Sequence, residues 1–174
     1  EVATAMVQYR DILQRAPKHA DTLHHLGVAY LQLGKLDEAV IWIERSLASN
    51  RQQPNALSNL GYCLNLQGRY QDAVLVCQEA TLVDPTNDGA WTNLGNAQRA
   101  VGQIEHAQAS YTKALELRPD DASCVYNLAS VLHDQQAFEK ARVLYIRCLS
   151  LNGTLPEAHN NLSACLLRLK QPEG

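Results

Sequence analysis

Apolar and small residues return along this chain at two intervals at once. Leu57, Leu60, Gly61 and Leu64 fall at i, i+3, i+4 and i+7, which is one face of a helix. Gly68 predicts the end of that helix, because glycine enters the left-handed conformation there at little cost. A second helical stretch, Gln71 to Val83, carries Ala73, Cys77 and Ala80 on one stripe. Asp84-Pro85 predicts its end, since a residue before proline is pushed out of helical geometry. The longer interval is 34 residues. At that shift Leu26, Leu60, Leu94, Leu128 and Leu162 superimpose, each followed by a small residue: Gly27, Gly61, Gly95, Ala129 and Ser163. Ala5, Ala39, Ala73, Ala107 and Ala141 make a second row, and Pro17, Pro85 and Pro119 a third. Self-similarity at a fixed period of this length marks a repeat architecture. The pattern predicts an all-α chain of helix pairs, antiparallel across short turns. A small residue on the first helix is expected to face a small residue on the second.

Trp91, Leu94-Gly95, Gly102, Ala107, Tyr111, Ala114 and Pro119 resemble the signature of the tetratricopeptide repeat (TPR). The resemblance runs over nearly the whole chain. It implies a right-handed superhelix, an α-solenoid of antiparallel helix-turn-helix units. The expected division is a half repeat at 1–19, full repeats at 20–53, 54–87, 88–121 and 122–155, a terminal capping helix at 156–170 and a tail at 171–174. Some positions depart from the signature. Arg51 and Gly153 replace the closing proline, while Pro54 and Pro156 are placed to open the next helix. Gln98 stands where tyrosine is usual. Gln136 replaces the turn glycine, at about 1 kcal/mol if that site is left-handed.

No repeat of this kind buries its apolar face alone, so each depends on its neighbours. The first helix presents Ala5, Tyr9 and Ile12 without a partner helix, and Glu1 is not a methionine. Both features lead to the expectation that the native protein extends beyond residue 1.

In the resembled family, the side of each first helix turned away from the Leu/Gly face lines a concave groove. The residues just before the five leucines are His25, Asn59, Asn93, Asn127 and Asn161. Asparagine is a mediocre helix former, because its side chain competes for backbone hydrogen bonds. Its amide carries two donors and an acceptor, which suits the N–H and C=O groups of another chain. Equivalent helices should stand roughly 10 Å apart, and an extended peptide advances about 3.3 Å per residue. One asparagine would then meet about every third peptide residue. The row resembles the asparagine ladder in the TPR arm of O-linked N-acetylglucosamine transferase, which holds peptide backbone. The other reading is that each asparagine bonds between neighbouring helices or into loops.

Around the row, Tyr62, Asn96, Tyr126, Arg99 and His24 complete the candidate peptide-binding set. TPR domains that clamp acidic chaperone tails pair the carboxylates with Lys and Arg. Here the corresponding positions hold His24, Ser58, Thr92 and Tyr126, so that clamp is not expected.

A net charge of -3 argues against nucleic acid as a partner, which needs a basic stripe. No apolar run approaches the ~20 residues of a membrane span. The five cysteines are odd in number and contain no Cys-x-x-Cys, which points to a reduced, cytoplasmic setting. Cys77 and Cys148 sit at packing positions. Adjacent His24 and His25 diverge by about 100° on a helix and are not expected to share a metal. No nucleophile, phosphate-loop or zinc-protease motif occurs, so neither an enzyme nor a cofactor is expected. The expected function is a non-catalytic scaffold that binds a protein or peptide segment in its groove. Two alternatives stand beside it. One is the substrate-recognition arm of a larger protein-modifying enzyme, such as a glycosyltransferase. The other is a self-associating scaffold joined through the open N-terminal helix.

Overall fold

Ten helices follow one another without a strand among residues 2–170, which the computed structural model describes. They are α1 (Val2–Arg15), α2 (Ala20–Gln32), α3 (Leu36–Ser49), α4 (Pro54–Leu66), α5 (Tyr70–Val83), α6 (Asp88–Ala100), α7 (Ile104–Leu117), α8 (Ala122–Asp134), α9 (Phe138–Leu151) and α10 (Pro156–Lys170). The starts are set locally. Asn87 and Asp121 cap α6 and α8, accepting from the amides of Ala90 at 2.9 Å and Cys124 at 3.0 Å. Pro54 opens α4 instead, where its missing N–H costs nothing.

The turn inside each helix pair uses one conformation four times. Gly34, Gly68 and Gly102 have φ of 71°, 73° and 80°, and Gln136 takes the fourth place at φ 60°. The same bond closes each turn, as in Arg69 N–H to Leu64 C=O at 2.9 Å and Ala137 N–H to Leu132 C=O at 2.9 Å. Glutamine bears the left-handed strain that glycine avoids. Gln136→Gly is therefore expected to stabilise the chain by about 0.5–1 kcal/mol, part of the relief being offset by glycine's larger unfolded-state entropy. Urea unfolding of the two proteins checks this.

Within each pair, the small residue after the leucine is a notch for a larger side chain. A Cβ on Gly95 would lie 2.6 Å from Cε1 of Tyr111, and one on Gly27 would lie 2.6 Å from Cγ1 of Ile43. Gly61 stands in the same way against the Cys77 sulfur. This corrects the expectation that small faces small. The backbone of one helix makes room, and a full-sized side chain of the next fills it. Ile43, Cys77, Tyr111 and Tyr145 are all buried at this position.

The first helices of successive pairs also touch one another: α2 with α4, α4 with α6, α6 with α8 and α8 with α10. The second helices, α3, α5, α7 and α9, make no such contacts with each other. The first helices thus form the inner layer of a curved stack and the second helices the outer layer. The core between them is apolar and nearly continuous from Ala39 to Cys165.

Candidate functional site

The inner layer carries every candidate groove residue, and its hydrogen bonds show how they are held. Asn59 places its amide nitrogen 2.9 Å from Nε2 of His24. Asn93 donates to the backbone oxygen of Ser58 at 3.1 Å and to its hydroxyl at 3.3 Å. Asn127 donates to Oδ1 of Asn96 at 3.0 Å, and Asn161 to the Tyr126 hydroxyl at 3.2 Å. Each asparagine thus staples its helix to the inner helix before it. Among the described residues the Oδ1 atoms of Asn59, Asn93 and Asn127 accept no hydrogen bond, and they are not sealed from solvent. The amide is divided: its nitrogen serves the stack, and its oxygen remains available.

Tyr62, Asn96 and Arg99 come together in one open cavity of about 440 Å³ between α4 and α6. Tyr111 donates to Oδ1 of Asn96 at 2.8 Å, so the notch residue of α7 also fixes a groove amide. Arg99 pairs with Asp134 on the next inner helix at 2.9 Å. This pairing neutralises the groove cation. Leu66, Tyr70 and Asn65 share the cavity wall. Asn65 donates to the Asn93 carbonyl at 2.9 Å, while its Oδ1 is buried without a partner. Sequence reasoning missed Tyr70 and Tyr111 as wall residues, because both belong to outer helices. The available signal was their position: Tyr70 just past a turn, Tyr111 opposite a glycine.

Tyr126 lies with its ring 5.9 Å from that of Tyr145. His25 sits apart from the cavity. It is exposed, its Nδ1 lies 2.6 Å from the Asp21 carbonyl oxygen, and its ring is 5.8 Å from Tyr9. The His24 and His25 rings approach to 5.6 Å, closer than their divergence along the helix implies. Among the described residues no three His, Cys, Asp or Glu side chains form a metal-binding group. All five cysteines are buried and unpaired. Burial pushes the thiol of Cys77 up to about 12 and those of Cys63 and Cys124 up to about 11. Such thiols stay protonated and unreactive at neutral pH.

His24 has a consequence for pH. Burial holds its pKa below the ordinary 6.5; neighbouring His25 acts in the same direction, and Asp21 opposes both. The unfolded chain therefore takes up this proton first as pH falls. Stability present above about 6.5 is lost as the pH drops through the range below it. Protonation also removes the Nε2 lone pair that faces Asn59. The melting temperature is expected to fall between pH 7 and pH 5. The fall should be smaller in His24→Gln, which keeps an acceptor but does not titrate.

Four family models, all described as tetratricopeptide repeat, match residues 1–60, 43–89, 89–121 and 122–155. Together they run without a gap over the notched helix pairs. The chain belongs to the tetratricopeptide repeat family. No curated protein matches it by sequence. Its TPR stack is similar to PilF of Pseudomonas aeruginosa, with TM-score 0.82 and 22% identity over 97% of this chain and 83% of that one. A MamA fragment from Desulfovibrio magneticus aligns at TM-score 0.78 and 19% identity, over 89% of this chain and 88% of the other. YrrB, described as a TPR protein with an unusual peptide-binding site, aligns at TM-score 0.76 and 19% identity, over 92% and 82%. At these identities the likeness establishes the fold, an all-α TPR superhelix. No helix among the described residues is long and apolar enough to cross a membrane.

Proposed function

We propose that this TPR array is a non-catalytic scaffold that holds an extended segment of a partner protein along its inner face. The observation that carries the reading is the divided amide: Asn59, Asn93 and Asn127 each leave an unengaged oxygen at one fixed interval on the concave layer. A row of acceptors about 10 Å apart meets the N–H of roughly every third residue of an extended chain. Such a row grips backbone and reads little sequence. The site residues are the asparagines, with Asn161 continuing the row, together with Tyr62, Asn96, Arg99 and Tyr126, and with His24 and His25 at the entrance. The arrangement is similar in kind to the asparagine ladder of the O-linked N-acetylglucosamine transferase arm. The chain divides into the half repeat, four full repeats and closing helix that its 34-residue period sets out. The five unpaired, buried thiols support a reducing compartment such as the cytoplasm.

The test is binding to an array of unrelated peptides by the wild type and by the triple variant Asn59→Ala, Asn93→Ala, Asn127→Ala. The reading expects weaker binding across the whole array. Unchanged binding would assign the asparagines to the fold alone.

A further inference from the structure

The outer helices do not touch one another, so a gap floored by an inner helix separates each from the next. Three such gaps lie between complete pairs, and the 34-residue period lets them be compared position by position. The first, between α3 and α5, is bridged by the ion pair of Arg51 with Glu79. The last, between α7 and α9, is bridged by Arg147, which donates to the Pro119 carbonyl at 2.8 Å. In the middle gap, between α5 and α7, the same two rows read Pro85 and Lys113. The Pro85 carbonyl accepts from Nε1 of Trp91 at 2.9 Å, and Lys113 pairs with Glu116 of its own helix at 2.9 Å. Neither residue bridges this gap.

The middle gap holds a cavity of about 570 Å³, within the range of small-molecule sites. Leu82, Trp91, Leu94 and Gln98 line it, together with His106 and Lys113. No carboxylate lines it, and its lysine is already paired. Trp91 stands in the row of Leu57 and Val125, which are fully buried, but is itself partly exposed. Gln98 is polar where Leu64 and Leu132 are apolar, and it is only 4% exposed. Its Oε1 accepts from the Ser110 hydroxyl at 2.6 Å. Among the described residues its Nε2 has no hydrogen-bond partner, and this atom is not sealed from solvent. The cavity thus sets one unengaged donor in a mainly apolar wall, where leaving it unpaired is costly. The gap between α3 and α5 encloses a similar volume, about 580 Å³, but there Leu64 takes the place of Gln98, and Glu44, Arg51, Arg69 and Asp72 line it.

We propose that the gap between α5 and α7 is a second binding site, for a small neutral aromatic molecule that carries an acceptor oxygen. The ring is received by Leu82, Trp91 and Leu94, where contact with the indole adds to the gain from burial. The oxygen accepts from Nε2 of Gln98, which Ser110 orients by occupying Oε1. The site uses no residue of the asparagine row, so it stands or falls apart from the inner face.

Two-dimensional proton–nitrogen NMR of the wild type, titrated with acetophenone, tests this. The side-chain amide of Gln98 and the indole N–H of Trp91 should shift saturably. α-Methylstyrene has the same outline with a methylene in place of the oxygen. It should bind roughly fivefold more weakly, the effect of losing one hydrogen bond. Two variants locate the site. Gln98→Leu with Ser110→Val gives this helix pair the residues that stand at Leu64 and Val76 in the pair before it, so it should fold. It should bind the two compounds alike. Ala109→Trp, at an exposed position of the cavity wall, should weaken both. Melting followed by circular dichroism checks that each variant is folded. No saturable shift with acetophenone would overturn the proposal. So would equal affinity of the wild type for the two compounds, a difference that survives in the double variant, or shifts confined to the Tyr62 and Asn96 cavity of the inner face.

Discussion

Replacing Tyr111 by alanine is expected to cost about 3–5 kcal/mol, the range for emptying a large aromatic site in a core. The side chain is 1% exposed and lies against Gly95, so tightly that no Cβ fits between them. The notch is formed by backbone on one side, and the walls belong to helices fixed by their own neighbours. The hydroxyl adds a second, smaller contribution through Asn96. Tyr111→Phe keeps the ring and loses only that bond, about 1 kcal/mol. Urea unfolding should therefore separate the two variants by several-fold in effect. Because a repeat array need not unfold in one step, hydrogen exchange should place the loss mainly in α6 and α7. An alanine variant within about 1 kcal/mol of wild type would mean that the notch is not the packing device described here.

The second large effect concerns binding. Replacing Asn59, Asn93 and Asn127 together removes three acceptors from the groove. At about 1 kcal/mol each, the affinity for an extended peptide should fall roughly 100-fold, since 1.4 kcal/mol is tenfold. Stability should change less. Three amide nitrogens lose their inter-helix bonds, that of Asn93 being shared between two acceptors on Ser58, but three poor helix formers become alanine, which returns about 0.5 kcal/mol at each site. The net loss is about 1–2 kcal/mol, so a comparison made well below both melting temperatures reads affinity and not unfolding.

The fold was legible because its signals are local and repeated. A leucine-small pair every 34 residues needs no tertiary information to be seen. The left-handed turn at Gln136 was legible for the same reason, as the odd member of a glycine row. What fills the notch was not. The glycine on one helix says that something comes close, but not whether it is Cys77, Ile43 or Tyr111. That depends on the crossing of two helices. The groove was legible by position and not by chemistry. Spacing set Asn59, Asn93 and Asn127 on the side turned from the Leu/Gly face, and the resemblance to the repeat family implied that this side is the groove. Their nitrogens are committed to His24, Ser58 and Asn96 because helix-to-helix distance brings those partners within reach, and no sequence pattern records that distance. The two readings of the asparagine, structural and ligand-binding, describe opposite ends of one amide.

The measurement that bears most directly on this account is therefore a titration of unrelated extended peptides against the wild type and the Asn59→Ala, Asn93→Ala, Asn127→Ala variant, with both fully folded. The account predicts a loss of similar ratio, roughly 100-fold, for every peptide whatever its side chains. Equal affinities for the two proteins, or a loss confined to one peptide sequence, would contradict it.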